Sequence, residues 1–193
     1  MSKNLTSKQV TKRLVVSAIF IAMSVVLNIL TPIKFPFGGS VTVFSMVPLA
    51  LLGYTYGPLW GMTCGAVMGV LNMLIDGMGN FAYVSGILAY IILIFADYFV
   101  AFAVLGLSGI FKNKIKNQSV AFGLGAGLAC VLRFICHFIS GVTIWADYAK
   151  GWSGVWIYSL TYNGSYMLPE LIITVIGCVA VVNIKPIMKA LEK

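Results

Sequence analysis

Long apolar runs, separated by short segments that hold most of the charges, dominate the sequence. Because a helix needs about 20 mostly apolar residues to cross a bilayer, run length predicts six membrane helices. They are expected near residues 14–31, 41–55, 59–76, 83–111, 119–141 and 158–184. The second is short and breaks before Gly57-Pro58. The pattern therefore predicts an all-α integral membrane bundle that forms one domain, residues 1–193, without an internal repeat.

Composition supports a membrane protein and argues against a nucleic-acid-binding one. Hydrophobic residues make up 60% of the chain and charged residues 9%, whereas a soluble domain carries about 25% charged residues. The net charge is +8, but the basic residues flank the apolar runs instead of forming one basic surface. We therefore expect membrane lipid, and no nucleic acid, as a partner.

The basic residues also predict the topology, because cytoplasmic loops are rich in lysine and arginine. Ten of them lie before the first run, in the 112–117 loop and at the end of the chain: Lys3, Lys8, Lys12, Arg13, Lys112, Lys114, Lys116, Lys185, Lys189 and Lys193. Six crossings place both termini in the cytoplasm and the loops 32–40, 77–82 and 142–157 outside. Omitting the second helix would invert everything downstream and break the rule.

Common signatures of enzymes and cofactor sites are missing from the sequence. The four cysteines lie inside apolar runs without metal-ligand spacing. The nucleotide-binding G-x-x-x-x-G-K-[ST] loop and the motifs H-E-x-x-H, C-x-x-C and G-x-S-x-G do not occur. We expect no metal, no cofactor and no ATP hydrolysis by this chain.

Polar side chains inside predicted helices indicate a binding site, because they are costly in lipid and usually face a bundle interior. Three helices carry such stripes at helical spacing: Tyr83, Tyr90 and Asp97; Arg133, His137 and Gly141; Asn163, Tyr166 and Glu170. In the predicted topology they meet in the outer half of the bundle. Aromatic rings and a carboxylate there suit a flat organic cation. We expect Arg133 and Glu170 to form a structural ion pair, which leaves Asp97 as the acid for the ligand.

Three stretches resemble the thiamin-specific S components (ThiT type) of energy-coupling factor transporters: "GGSVTVFSMVPLALLGYTYGPLWG" at 38–61, "RFICHFISGVTIW" at 133–145 and "YSLTYNGSYMLPE" at 158–170. The resemblance implies a six-helix protein that captures a vitamin outside. It also implies partners: a membrane coupling subunit and two ATPase subunits, which drive release of the vitamin inside. Ala18 and Ala22 form a small-residue face on the first helix, which allows close helix approach and by resemblance contacts the coupling subunit.

The resemblance also implies which residues bind thiamin. Those that match the family are His137, Gly141, Trp145, Tyr158 and Asn163, together with the acid–tyrosine pair Asp97-Tyr98. Tyr90 joins this set through its stripe. The family acid is glutamate, so Asp97 is a departure that shifts the contact by about one methylene or requires a water. The family also uses an aromatic residue of the first outer loop, for which Phe35 and Phe37 are the candidates.

The sequence thus predicts a substrate-binding subunit for thiamin uptake, in a bacterial cell membrane. An alternative is an independent proton-coupled secondary transporter of an organic cation, with Asp97 as the coupling acid. A third hypothesis is an intramembrane enzyme with His137 as base, which lacks a recognisable nucleophile or metal constellation.

Overall fold

The fold is a helical bundle with one short β-hairpin in the part that the computed structural model describes, residues 6–192, except for the side chains of Asp76 and Glu192. Lys3 and Lys193 of the predicted topology lie outside this range. The helices are α1 Ser7–Ile29, α2 Val47–Tyr56, α3 Pro58–Asn72, α4 Ile87–Gly109, α5 Gln118–Thr143, α6 Val155–Val182 and α7 Lys185–Glu192.

Each of the six predicted ranges contains a helix, although the boundaries differ. Among the described residues, five helices are long and apolar enough to cross a membrane: α1, α3 extended to Ile75, α4, α5 and α6. The remaining one, α2, has 10 residues and is therefore about 15 Å long. Its predicted start at residue 41 is wrong, because that residue pairs in a strand and the helix begins at Val47. A sixth crossing, by α2, stays a prediction.

The charged segments of the chain gather at one end of the bundle. The Lys12 ammonium at the start of α1 donates to the Ala190 carbonyl of α7 at 2.6 Å. Tyr54, near the end of α2, donates its hydroxyl to Gln118 at the start of α5, and the Lys112 ammonium lies 5.0 Å from the Tyr54 ring centroid. Thus α2 ends beside the loop 112–117.

The three predicted outer loops meet at the opposite end. The ring of Phe37 in the first loop lies 5.5 Å from that of Tyr83, which follows the second, and 4.4 Å from that of Tyr148 in the third. The chain therefore changes ends along α2, as the predicted loop order requires. Which end faces the cytoplasm stays a prediction.

The first of these loops folds as a hairpin that run length did not predict. Strand β1, Ile33–Lys34, pairs antiparallel with β2, Ser40–Val41. The turn between them holds Phe37 at φ 62° and Gly38 at φ 92°. A positive φ is unfavourable for a bulky residue such as phenylalanine, so packing must hold Phe37 in place. Its ring faces Tyr83 and the loop after α5, where it contacts Trp145 and Tyr148.

Candidate ligand-binding site

A cavity opens between the hairpin, the end of α1, the segment before α2 and helices α3 to α6, near the end that carries the aromatic loops. Seven residues predicted from the sequence line it together: Asp97, Tyr98, His137, Gly141, Trp145, Tyr158 and Asn163. They come from α4, α5, α6 and the loop after α5, so the predicted stripes of α5 and α6 converge with Asp97 of α4 on one space.

Asp97 is the centre of a hydrogen-bond network in the cavity wall. One carboxylate oxygen lies 3.0 Å from His137 Nδ1. The other accepts from the Ser140 hydroxyl at 2.6 Å and from the Trp145 indole at 3.1 Å. Asp97 lies where α4 widens into π-helical turns over Leu93–Val100, a distortion that is frequent at functional sites. The network therefore holds one carboxylate at the meeting point of α4, α5 and the following loop.

Both ring nitrogens of His137 have a hydrogen-bond partner. Its Nδ1 faces Asp97, and its Nε2 accepts from Arg133 Nε, one turn earlier on α5, at 3.3 Å. The guanidinium of Arg133 lies 4.0 Å from the centroid of the Phe102 ring on α4. Only 11% of the His137 side chain is exposed, so it is oriented almost entirely by protein groups.

The opposite wall is formed by α6. Asn163 donates its amide to the His137 carbonyl at 3.2 Å, and its amide oxygen accepts from the Tyr166 hydroxyl at 2.6 Å. Gly141 makes this approach possible, because a Cβ there would lie 2.1 Å from the Ser159 hydroxyl. The predicted glycine is thus required by the closeness of α5 and α6.

Aromatic rings cover the end of the cavity that lies nearest the three aromatic loops. Phe37, Tyr83, Trp145 and Tyr148 form an aromatic cap in which Phe37 contacts each of the other three, at centroid distances of 4.4 to 6.0 Å. Rings of Tyr158 and Tyr162 stack along one side at 5.8 Å. Such faces attract cations, so the cap and wall are suited to a charged aromatic molecule.

The predicted ion pair between Arg133 and Glu170 is not formed in the described structure. Arg133 is turned towards His137 and Phe102 instead. Glu170 accepts from the backbone and the hydroxyl of Thr42 through one oxygen, and its other oxygen has no hydrogen-bond partner among the described residues. Both side chains line the cavity. The expectation failed because Thr42, in the segment after β2, takes the position of the partner.

Tyr90 does not belong to the cavity lining, contrary to the stripe prediction. Its side chain is 38% exposed and packs against Phe81. Two features explain the error. Tyr83 precedes α4, which begins at Ile87, and the wider turns over Leu93–Val100 change the rotation between Tyr90 and Asp97. A spacing of seven therefore no longer marks one face.

Sequence reasoning left one lining residue undecided and missed others. Phe37 and Phe35 were both candidates from the first loop, and Phe37 lines the cavity, whereas Phe35 packs against Tyr166. Tyr162 was missed, although Tyr158, Tyr162 and Tyr166 at spacings of four give a signal on α6. Ser140, which lies behind the lining and donates to Asp97, carried no signal, because serine is common in helices that cross membranes.

Two further predictions concern other parts of the chain. Ala18 and Ala22 are exposed on α1, so their small-residue face is free for contact in the described structure. Among the described residues, no group of three or more histidine, cysteine, aspartate or glutamate side chains is arranged to hold a metal ion.

Comparisons with known proteins agree on one family. The family model described as Thiamine transporter protein matches residues 14–190. The chain is 34% identical over 181 residues to the thiamine transporter ThiT of Bacillus subtilis, covering 88% of this chain and 89% of the relative. It is 26% identical over 153 residues to the ThiT of Lacticaseibacillus paracasei, covering 74% and 73%.

A solved structure of ThiT from Listeria monocytogenes has a similar fold, with a TM-score of 0.71 and 24% identity, covering 92% of this chain and 98% of that one. The relatives are bacterial transporters and not enzymes. Together with the apolar helices, this makes the chain a multi-pass bacterial membrane protein. Since the matches span nearly the whole chain, it belongs to the thiamine transporter protein family.

Proposed function

We propose that this chain binds thiamin in the described cavity and serves as the capture subunit of an energy-coupling factor transporter. One observation carries the proposal: a carboxylate, Asp97, is fixed in a largely buried cavity whose walls and cap are aromatic. Thiamin is a cation with a thiazolium ring and an aminopyrimidine ring, so it matches both features.

The positive thiazolium ring is the part of thiamin that belongs beside Asp97 and the aromatic faces. Attraction between opposite charges strengthens where water is excluded, and the cap of Phe37 and Trp145 excludes water from above. Asn163 and Tyr158 lie on the α6 wall and supply polar edges for the aminopyrimidine. The shorter aspartate fits this arrangement, because its carboxylate accepts from Ser140 and Trp145 and lies 3.0 Å from His137 Nδ1.

Calorimetric titration of the purified chain with thiamin, without ATP, tests this proposal. Saturable binding of one thiamin per chain supports it. Native mass spectrometry of the protein as purified adds an independent observation, a co-purified ligand of thiamin's mass. Absence of binding to protein that is folded and monodisperse would reject the assignment of the cavity.

We infer that ATP hydrolysis by partner subunits drives the transport step, since the sequence itself contains no nucleotide-binding loop. We infer that a membrane coupling subunit docks on the α1 face that holds Ala18 and Ala22, and that two ATPase subunits supply the energy. The charged end, with Lys12 and Lys112, is then cytoplasmic by the positive-inside rule, and both termini lie inside after six crossings.

A stand-alone secondary transporter remains the second candidate, on one observation. Asp97 and His137 form a buried hydrogen-bonded pair of titratable groups, the kind of pair that relays protons in membrane transporters. Measuring thiamin uptake into liposomes that contain only this chain distinguishes the capture subunit from the secondary transporter. The capture subunit shows binding but no accumulation under a proton gradient, whereas a secondary transporter accumulates thiamin.

A further inference from the structure

We propose that Arg133 is a positioning residue that fixes the tautomer of His137, with the ring proton on Nδ1. The inference deepens the proposed function, and its consequence for thiamin affinity rests on that function. The tautomer itself is a property of the ligand-free chain and is tested without ligand.

The argument begins with which groups are able to accept a hydrogen bond. The guanidinium of arginine has donors only, so the 3.3 Å contact between Arg133 Nε and His137 Nε2 requires a lone pair on Nε2. A neutral imidazole then carries its proton on Nδ1. That proton points at the Asp97 carboxylate, 3.0 Å away. Arg133, His137 and Asp97 therefore form a chain of two directional hydrogen bonds.

The orientation of Arg133 is itself fixed by a second helix. Its guanidinium carbon lies 4.0 Å from the centroid of the Phe102 ring, and Phe102 of α4 is 4% exposed. A cation held over a buried aromatic face is stabilised by the ring. Arg133 and His137 are also four residues apart on α5, so the donor reaches the ring along one helix face. The Nε–H direction is thus determined by packing on two sides.

The neutral tautomer matters because the ligand is a cation. An imidazolium would place a positive charge beside Asp97 and weaken the attraction for thiazolium. A proton on Nε2 would instead leave Nδ1 with a lone pair facing the carboxylate. Arg133 disfavours both forms, because either one puts an N–H against its own N–H. It keeps Asp97 as an uncompensated carboxylate on the cavity side of the histidine ring.

Two variants of Arg133 distinguish the effect of its hydrogen-bond donor from the effect of its positive charge. In Arg133→Gln, the side-chain amide nitrogen follows the same number of carbons as arginine Nε, so a donor remains without the charge. Arg133→Met has a similar length and no donor. Since His137 is the only histidine of the chain, isotope-labelled histidine reports on this ring alone. The measurement is the pair of ring-nitrogen shifts by solid-state NMR of the ligand-free protein in lipid, purified without a histidine tag.

Wild type and Arg133→Gln are expected to show protonated Nδ1 and unprotonated Nε2, and Arg133→Met to lose this pattern. Thiamin affinity should fall by roughly two- to tenfold in the methionine variant, the effect of one net hydrogen bond, and less in the glutamine variant. A wild-type ring protonated on Nε2, or the same shifts in Arg133→Met as in wild type, overturns the proposal.

The proposal can still be tested if the Arg133→Met variant does not fold. If thermal unfolding shows that Arg133→Met is not folded, Arg133→Leu, which also lacks a donor, takes its place, and a wild-type ring protonated on Nε2 overturns the proposal in either case. If no variant binds thiamin but the shifts are as expected, the proposed function fails and the assignment of Arg133 stands.

Discussion

Asp97 is the residue on which the proposed chemistry depends most. Its two oxygens accept from His137, Ser140 and Trp145, so the carboxylate is fixed before ligand arrives. A group oriented in advance loses little freedom on binding, and this preorganisation favours affinity. The side chain is 14% exposed, which leaves it accessible from the cavity.

Replacing Asp97 with asparagine should weaken thiamin binding by about 2–4 kcal/mol, since a buried charge partner of the cation is lost. Asp97→Glu keeps the charge and should bind more tightly than Asp97→Asn. Asp147→Asn is the matched control, because Asp147 is an exposed acid after α5 that does not line the cavity. Calorimetric affinities of the three variants check this. Equal losses in Asp97→Asn and Asp147→Asn would point to general electrostatic attraction instead of a site.

Single residues were predictable where helix periodicity or a family motif fixed them. His137 and Gly141 follow from a spacing of four on α5, which the regular helix preserves. The prediction for Tyr90 was wrong because α4 is not a regular helix. No proline or polar residue in the sequence indicated the wider turns of α4. Phe37 was left as one of two candidates, since the register of a two-residue strand leaves almost no pattern in a sequence.

At the scale of elements, the contact of α5 with α6 builds one side of the cavity. The helices approach closely at Gly141, where Ser159 and Asn163 of α6 occupy the space of a side chain. Gly141 and Asn163 connect packing with the cavity, because both lie at this helix contact and both line the cavity.

Gly141→Ala should therefore destabilise the protein by about 1–3 kcal/mol, the usual cost of overpacking, and weaken thiamin binding. The added methyl group would lie 2.1 Å from the Ser159 hydroxyl and 2.9 Å from the Asn163 amide nitrogen. Gly127→Ala is the control on the same helix, since its Cβ would meet only Val175 at 3.8 Å. Thermal unfolding in detergent and calorimetry measure both. An unchanged midpoint in Gly141→Ala would show that the helices separate freely.

The hairpin is the second element that shapes the site, because it places Phe37 over the cavity. Phe37→Ala should raise the dissociation rate of thiamin several-fold, while association changes less, as is usual for interface variants. The aromatic cap would lose the ring that contacts Tyr83, Trp145 and Tyr148. Phe95→Ala, which removes a ring that is 52% exposed on α4, is the control. Stopped-flow tryptophan fluorescence follows both, and equal dissociation rates in wild type and Phe37→Ala would exclude a capping role.

Elements were predictable as far as hydrophobic run length determines them. Every predicted membrane range contains a helix, because burial in lipid requires long apolar helical segments. The start of α2 and the hairpin were not predictable in this way. Residues 41–46, V-T-V-F-S-M, continue the apolar run of α2, and long-range contacts, such as that of Thr42 with Glu170, hold the beginning of this segment outside the helix.

The whole molecule combines a cavity near one end with an exposed helix along its side. The cavity is lined by α3 to α6, the hairpin and Asn28 near the end of α1, whereas Ala18 and Ala22, earlier on α1, are exposed and do not line it. Because the two regions are separate, the proposed coupling subunit is able to dock on the face of α1 that holds Ala18 and Ala22 without covering a ligand in the cavity. This separation also predicts that changes at Ala18 and Ala22 affect transport without affecting thiamin binding.

Placing tryptophan at both Ala18 and Ala22 should abolish transport and leave thiamin affinity unchanged. Bulky rings prevent the close helix approach that small residues permit, while neither position lines the cavity. Ala180→Trp is the control, as Ala180 is an exposed alanine on α6. Uptake of labelled thiamin by cells that also express the coupling and ATPase subunits measures transport, and calorimetry of the purified variant measures binding. Because the variant must still bind thiamin, loss of uptake cannot be attributed to misfolding. Uptake at the wild-type rate by the double variant would mean that the coupling subunit docks elsewhere.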